Sequence, residues 1–315
     1  MMYLHKTNKY RHALTALFSA AVVLFAPHQS AYADAEVAKI TDANQSAPAK
    51  GLMWEIKAGQ KTAYLLGSIH LAKPDFYPLT PAVEEAYANS KVLAVEVDAT
   101  DQKAIAKVMP QVVYKAPDQL DKHISAETWA ELNKVAGPAI TQLQMLKPAM
   151  VSTGLVVGVM MGQGYQPQAG IDVYFLNRAK ADKKKIQELE TLAFQIKVLT
   201  DFSDKEGDEM LASTLKGIQS GEAVKEAENM VAAWRSGDAP ALEKILDDLN
   251  NKDAASAKMM KRLLDDRNVG MSEKIIKLMN GGQPVFVVVG AGHMIGKNNI
   301  LEFLKKKNFQ IRQVE

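Results

Sequence analysis

Short apolar runs recur at a few places in the chain, and longer segments with helical spacing lie between them. The first two runs, at 52–57 and 62–66, are separated by the turn-forming stretch "AGQK", which predicts a β-hairpin. Four further runs predict strands at 91–98, 185–189, 285–289 and 309–314. Strands that flank long helical segments predict an α/β protein with a central mixed sheet and a large helical insertion.

Helical spacing fills most of the remaining chain. Thr80 before Pro81 predicts a helix start, and Ser125 is a predicted cap for the next amphipathic segment. Residues 148–161 are apolar all round, but a membrane span needs about 20 such residues, so they predict a buried core helix. Further helices are predicted from residue 171, through almost all of 191–280, and over 297–306.

One helical stretch, 203–250, is rich in charge, Met and Leu and contains four glycines. An interior glycine costs a helix about 1 kcal/mol, so this stretch is more broken than a core helix usually is. It predicts either a packed peripheral subdomain or a lid over the strand ends that moves when a substrate enters.

The N-terminus has the pattern of an export signal. Three basic residues precede the apolar stretch 13–26, and Ala31 and Ala33 provide the small residues before a cleavage site. We therefore predict a cleavable signal peptide over 1–33, a flexible tether over 34–50, a domain over 51–315 and a periplasmic location. The alternative is an uncleaved membrane anchor, for which the apolar stretch is short.

Charge and cysteine content narrow the function classes. Removal of the signal takes away three positive charges and no negative ones, so the formal net charge falls from +2 to −1. Such a balance does not favour binding to nucleic acid. The chain has no cysteine, so any metal site must use nitrogen and oxygen donors. The oligomeric state is left open.

Two histidines have matching surroundings. His70 and His293 each end a Gly-x-x-His motif directly after an apolar strand. Ligands of α/β sheets usually bind at the carboxyl ends of strands, and a glycine there lets the chain turn sharply. We therefore predict that both imidazoles face one crevice; alternatively, each caps a turn and satisfies its own hydrogen bonds. His123, in "LDKHIS", is predicted to lie on the surface.

The stretch "GAGHMIG" also invites comparison with a dinucleotide-binding loop. That fingerprint needs a third glycine where this chain has Ile295, since Gly296 comes one residue too late. The acidic residue expected about 20 positions later is missing as well, because the chain ends first. Nucleotide binding is therefore not favoured.

Two carboxylates follow the third predicted strand. Alternation in "LAVEVD" places Glu96 and Asp98 on one face. Carboxylates at a strand end can bind a hard metal ion or act as a general base. The alternative is a solvated strand terminus. Because this strand follows the first Gly-x-x-His strand after one helix, the two strand ends could be neighbours.

Other polar residues have ordinary interpretations when taken alone. Asp172 is an early-helix acid, and Glu190 lies just beyond a strand. Arg267 and Asn268 lie in a charged helical run, whose spacing predicts a solvated face.

Several blocks in order resemble the TraB/GumN family, whose eukaryotic relatives are the Tiki membrane metalloproteases. The similarity covers roughly 51–315 and rests on "LLGSIH" with "LAVEVD", on "GID" with "LETLAFQ", on "DDRN" and on "VVVGAGHMIG". One departure is Ala149 after Pro148, where many relatives carry tryptophan, which puts a pocket wall in doubt.

The resemblance implies a metal-dependent hydrolase that acts on a peptide or another small hydrolysable substrate. It implies His70 and His293 as metal ligands, with Glu96 as the acidic residue. From the paired motifs we also expect a carboxylate from Glu96 or Asp172 to share one site with the two histidines. Two imidazoles and carboxylates suit Mn²⁺, Co²⁺ or Zn²⁺, with an activated water attacking a carbonyl. Glu96 is also a predicted catalytic residue.

The family's Leu-Glu-Thr block and Arg-Asn pair add Glu190, Arg267 and Asn268 to the predicted catalytic residues. Arg267 would stabilise an oxyanion or hold a substrate carboxylate. Two alternatives stay open: a binding or regulatory protein that turns nothing over, and a metal-free, esterase-like hydrolase in which a histidine is the general base.

Overall fold

A computed structural model describes residues 47–251 and 254–314. Its centre is a six-stranded mixed sheet with the order β4-β3-β5-β2-β1-β6. The four strands β2, β5, β3 and β4 run parallel, and β1 pairs antiparallel with both β2 and β6. The strands are β1 Leu52–Ala58, β2 Lys61–Ser68, β3 Val92–Val95, β4 Lys185–Glu188, β5 Val285–Gly290 and β6 Gln310–Val314.

Helices occupy most of the other described residues, as the spacing predicts. They are α1 Pro81–Asn89, α2 Gln102–Val112, α3 Ala126–Ala136, α4 Ile140–Leu143, α5 Pro148–Gly162, α6 Ile171–Ala181, α7 Leu192–Thr200, α8 Asp204–Gln219, α9 Glu222–Ser236, α10 Ala239–Asn250, α11 Ala254–Met260, α12 Asp266–Asn280 and α13 Ile300–Lys306. A π-helical turn, Lys261–Asp265, joins α11 to α12.

The central strands are buried because they are apolar on both faces. In β5 the five residues from Val285 to Val289 are each at most 1% exposed. A strand covered on both faces reads as a continuous apolar run rather than an alternating one. The α/β class, the mixed sheet and the large helical insertion are confirmed.

Local signals place most element boundaries correctly. The predicted hairpin forms, with Ala58 opposite Lys61, and the Ser125 hydroxyl accepts a hydrogen bond from the Thr128 N–H at the start of α3. The third strand is shorter than predicted and ends at Val95, so Glu96 begins the loop beyond it.

The apolar segment 148–161 forms a core helix. Nine of the fifteen residues of α5 are buried, including Ser152 and Thr153. In the described part of the chain, no helix has both the length and the apolar character needed to cross a membrane.

The predicted signal peptide and most of the predicted tether lie outside the described residues. At the end of the tether, Ala49 is fully buried and the Lys50 N–H donates to the Arg235 carbonyl at 2.9 Å. The packed domain therefore includes at least the last residues before 51.

His123 links the loop at Asp118 to the start of α8. Its ring nitrogens lie 3.0 Å from Asp118 and 3.0 Å from Asp204, and the ring stacks on Tyr114. Burial alone would lower the pKa of His123, but the two hydrogen-bonded carboxylates outweigh it and raise the pKa. A raised folded-state pKa contributes stability below the unfolded value, near pH 6.5, and that contribution is lost as the pH rises through the folded pKa.

We therefore expect His123→Phe, which keeps the ring stacking on Tyr114, to cost more stability at pH 5.5 than at pH 8.5. The loss at pH 5.5 should stay below about 1 kcal/mol, because the partner side chains of Asp118 and Asp204 are 43% and 68% exposed. Urea unfolding at the two pH values measures the difference. A loss that is equal at both would contradict the ion-pair account.

Candidate functional site

The carboxyl ends of three strands meet at one edge of the sheet. Ser68 in β2 is paired with Gly290 in β5, and Val95 in β3 is paired with Val288 in β5. β5 lies between β2 and β3, so the expectation that the ends of these two strands are neighbours is wrong. The residues that follow the three strands nevertheless share one edge of the sheet, although they are far apart in the chain.

Close packing, and not a turn, requires a glycine at position 67. It lies within β2, and a methyl group on it would meet the Ala291 Cα at 2.9 Å. Neither Gly67 nor Gly290 has a positive φ. The expected turn is wrong at Gly67, where the need is for close approach of the two Gly-x-x-His loops. At Gly290 the chain does turn, because the 3-10 helix Ala291–Met294 begins directly after it.

His70 is held by an aspartate from α6. Its Nδ1 lies 2.6 Å from Asp172 Oδ2, and Asp172 Oδ1 accepts from the Ser68 hydroxyl at 2.7 Å. Gly170 permits this contact, because a methyl group there would lie 2.4 Å from the His70 carbonyl oxygen. The Ile171 N–H also donates to the Ile69 carbonyl at 3.0 Å, which fixes the start of α6 beside His70.

His293 is held by an amide from α12. Its Nδ1 lies 2.6 Å from Asn268 Oδ1, while the Asn268 side-chain N–H donates to the Asn298 carbonyl at 2.8 Å. His293 is 1% exposed. In both histidines Nδ1 is engaged, and within the described residues neither Nε2 makes a hydrogen bond.

Glu96 lies beside His293, just beyond β3. Its Oε1 accepts from the Gly290 N–H at 2.7 Å and lies 3.7 Å from His293 Nε2. Its other oxygen, Oε2, accepts from Arg267 and from Gln195. Glu96 is 5% exposed, so this carboxylate is held on both sides in a dry environment.

A buried ion cluster supports Glu96 from behind. Arg267 donates from Nε to both oxygens of Glu190 at 3.1 Å and from its terminal nitrogens to Glu96, Glu190 and the Leu263 carbonyl. The Glu190 N–H also donates to the Glu96 carbonyl at 2.8 Å. The predicted solvated face at 267 and 268 is wrong, because both side chains are buried against the strand ends.

The same contacts shift the pKa values of the three central groups. Burial lowers the pKa of His293 to about 3, so its imidazole is neutral near pH 7. Burial would also lower the pKa of His70, but the Asp172 carboxylate outweighs burial and raises it. Burial would raise the pKa of Glu96, yet Arg267 foremost holds that pKa well below its usual range.

The reactive atoms surround Gly290. A methyl group on Gly290 would lie 3.2 Å from Glu96 Oε1, 3.6 Å from His293 Cδ2 and 3.9 Å from His70 Nε2. His70, His293, Ser68 and Gly290 line one side of a cavity at this point. The structure therefore brings both histidines and Glu96 together.

The other predicted site residues stand behind this group. Asp172, Asn268, Glu190 and Arg267 contact His70, His293 or Glu96 and do not line the cavity. Both oxygens of Asp172 are engaged, and each guanidinium nitrogen of Arg267 already donates to an oxygen. Their geometry is that of residues that position other side chains.

Asp98 points away from this site. It accepts from the Thr100 N–H and hydroxyl and pairs with Lys180 at 2.9 Å. The alternation that grouped Asp98 with Glu96 fails because β3 ends before either residue.

Gln195 is a site residue that sequence reasoning missed. Its Nε2 donates to Glu96 Oε2 at 2.9 Å and to Glu190 Oε2 at 2.8 Å. A signal was present: Gln195 shares the buried face of α7 with Leu192, Ile196 and Leu199. A lone amide on an apolar helix face indicates a buried polar partner. Ser68 was missed too, although strand alternation places it on the same side as His70.

Gln195→Met should lower the free energy of unfolding by about 2 kcal/mol, because two hydrogen bonds to buried carboxylates are lost. The loss is moderated because Gln195 Oε1 has no hydrogen-bond partner among the described residues. Gln219→Met is the matched control, since Gln219 Nε2 donates to Glu131 at an exposed position. Urea unfolding should show almost no change in the control; equal losses in the two variants would contradict this role for Gln195.

The stretch 203–250 forms α8, α9 and α10. Trp234 in α9 is fully buried, stacks on Phe76 and donates to the Gly67 carbonyl at 2.6 Å. Leu242 and Leu246 in α10 line the same cavity as the histidines. The segment thus forms a wall of the cavity, with α9 anchored to the sheet, and movement of α10 stays a prediction.

A divalent ion needs three or more well-placed donor atoms from the protein. Within the described ranges, no group of three or more His, Asp or Glu side chains is arranged as a ready metal site. The available donors are His70 Nε2, His293 Nε2 and Glu96 Oε1. Two donors on one tetrahedral ion, each about 2.1 Å from it, are separated by about 3.4 Å. The 3.7 Å between His293 Nε2 and Glu96 Oε1 is close to that value, so these two donors fit one ion, and His70 would have to reach the same ion by a side-chain movement.

Comparison with known proteins assigns the class that this sheet and site define. The TraB/PrgY/gumN family model matches residues 52–313, which is most of the chain. The chain belongs to this family. No solved structure matches it.

The alignments with three relatives cover most of this chain and most of each relative. The uncharacterized protein YbaP of Shigella flexneri is 27% identical over 255 residues, which cover 78% of this chain and 89% of YbaP. YbaP of Escherichia coli (strain K12) matches with the same identity and coverage. An uncharacterized protein of Treponema pallidum is 21% identical over 272 residues, covering 81% of this chain and 80% of that protein. These relatives assign no activity.

Proposed function

We propose that the protein is a metal-dependent hydrolase, with peptides as its substrates. One observation carries the proposal. His70 and His293 line the cavity, the Nε2 of each has no hydrogen-bond partner in the described chain, and Glu96 Oε1 lies beside them at Gly290.

The surroundings of each histidine support a role as ligand. A metal-binding imidazole usually has its other ring nitrogen held by a carboxylate or carbonyl oxygen, which fixes the ring and its tautomer. Asp172 supplies that oxygen to His70, and Asn268 supplies it to His293. Glu96 would complete the set with Oε1. The ion, proposed as Mn²⁺, Co²⁺ or Zn²⁺, would activate water and polarise the substrate carbonyl.

The chain's own residues would divide the remaining work. The Arg267 cluster keeps Glu96 ionised and fixed, while burial keeps His293 neutral. The Asp172 carboxylate keeps the His70 ring oriented, with Nε2 directed to the cavity. The apolar wall would exclude bulk water from the substrate carbonyl.

A second candidate is a metal-free hydrolase. The 2.6 Å contact between His70 and Asp172 is the geometry of a histidine general base oriented by a carboxylate. In that case His70 Nε2 would take a proton from the attacking water, and His293 would bind the substrate.

The test is a cleavage assay on protein purified without chelators. The probe is a quenched-fluorescent peptide mixture, followed by mass spectrometry of the products, with and without 1,10-phenanthroline. We expect cleavage that stops with the chelator and returns with Mn²⁺, Co²⁺ or Zn²⁺. Cleavage that resists the chelator would favour the metal-free hydrolase. No cleavage of peptides or esters would favour a binding or regulatory protein of the envelope.

We also propose export to the periplasm, from the signal pattern in residues 1–33. Expression of the full chain in a Gram-negative host should give a periplasmic protein that begins at Asp34. N-terminal sequencing of the periplasmic fraction measures this. Recovery in the membrane fraction with Met1 retained would instead support an uncleaved anchor.

A further inference from the structure

The cavity has two unlike sides. The side described above carries His70, His293 and Ser68. The other side is aliphatic and comes from α9, α10 and the turn between α11 and α12, with contributions from Met230, Leu242, Leu246 and Leu264. Among the described residues that line the cavity, the two histidines are the only titratable ones.

The aliphatic side begins directly beside the reactive atoms. A methyl group on Gly292 would lie 3.3 Å from Leu264 Cδ1 and 3.7 Å from Leu246 Cδ1. Two residues earlier, Gly290 is surrounded by Glu96, His293 and His70. A group bound at the histidines therefore has its next few atoms against Leu246 and Leu264.

The size of the cavity restricts what can enter. Its volume is about 70 Å³. An engineered apolar cavity of about 150 Å³ holds benzene, so an aromatic ring would not fit here without displacement of the wall. A branched aliphatic group of three or four carbons is a closer match. A charged group would lose its hydration and find no partner on the aliphatic side.

We infer that this cavity is a specificity pocket for a small aliphatic side chain, of Val, Leu or Ile size, in the residue that adjoins the scissile bond. The inference rests on the proposed hydrolase function, since the histidines must hold the reacting carbonyl beside the pocket. Burial of apolar surface against Leu246 and Leu264 would supply the binding energy. Acidic and basic side chains would bind poorly, because the aliphatic side offers their charge no hydrogen-bond or ion-pair partner.

The test measures binding, so it does not depend on turnover. Four hydroxamates share one head group and differ in the tail: acetohydroxamate, isovalerohydroxamate, benzohydroxamate and the monohydroxamate of succinate. Calorimetry with the zinc-loaded protein should show isovalerohydroxamate binding about tenfold or more tightly than acetohydroxamate, with the succinate compound weakest. Leu246→Phe, at a half-buried position, should remove the isovaleryl advantage, so that isovalerohydroxamate binds no more tightly than acetohydroxamate.

Ile245→Phe is the matched control, because Ile245 is the half-buried neighbour on α10 and does not line the cavity. It should keep the preference for the isovaleryl tail. Equal affinity for all four tails, or a preference that survives Leu246→Phe, would overturn the specificity pocket while the head-group site stands. If the His70→Ala variant binds the hydroxamates as tightly as the wild type, the proposed function is overturned instead. If none of the four hydroxamates binds the wild type, both the proposed function and the specificity pocket are overturned.

Discussion

His70→Ala and His293→Ala are each expected to lower kcat/KM for the cleaved peptide by about 10²–10⁴-fold. Both histidines line the cavity, and the Nδ1 of each is held by a separate oxygen, so neither histidine can replace the other. Steady-state cleavage of the peptide selected from the mixture measures the effect.

The control separates a lost function from a lost fold. His123→Ala removes the third described histidine, which is bound to Asp118 and Asp204 far along the chain from either motif, and should leave kcat/KM unchanged. Near-native circular dichroism of all three variants would show that the domain persists. Activity within a few-fold of wild type in either site variant would mean that the two histidines do not form the reactive centre.

Arg267→Met is expected to lower the free energy of unfolding by about 3–5 kcal/mol. Removing the guanidinium leaves Glu96 and Glu190 buried side by side without a positive charge. Glu96 has a depressed pKa in the folded protein, so its contribution is present above pH 4.5 or so and is lost as the pH falls through the folded value. The difference between wild type and variant should therefore narrow in acid.

Arg312→Met provides the matched comparison for urea unfolding. Arg312 pairs with Glu55 at 3.0 Å, but its side chain is 70% exposed, so the loss should stay below about 1 kcal/mol. Similar losses at positions 267 and 312 would show that the buried cluster is not a major source of stability. Adding Glu190→Gln to Arg267→Met should restore part of the loss, because one uncompensated buried charge is removed.

The fold could be predicted closely because its strongest patterns are local. The continuous apolar run of β5 and the "AGQK" turn can each be recognised from neighbouring residues alone. Strand order could not be read in this way, because β5 pairs with β2 and β3 across more than 180 residues. The end of β3 was misplaced for a related reason: the alternation continues through Glu96 and Asp98, but pairing with β5 stops at Val95.

The sequence predicted which residues form the site better than it predicted their contacts. The matched motifs identify His70 and His293, but the partners of their Nδ1 atoms come from α6 and α12, which only the folded chain brings near. Arg267 was interpreted as solvated because its sequence neighbours are charged. In the fold, the face of α12 that carries Arg267 packs against the edge of the sheet and is buried. Gln195 was missed because a single amide carries little signal until Glu96 and Glu190 surround it.

The central claim is that His70 and His293 bind one divalent ion. Anomalous diffraction from crystals grown with Zn²⁺ or Mn²⁺ tests it most directly. The account predicts one strong peak per chain, about 2.1 Å from both Nε2 atoms and beside Glu96 Oε1. A map with no peak at Gly290, or with ions bound only elsewhere on the chain, would contradict it.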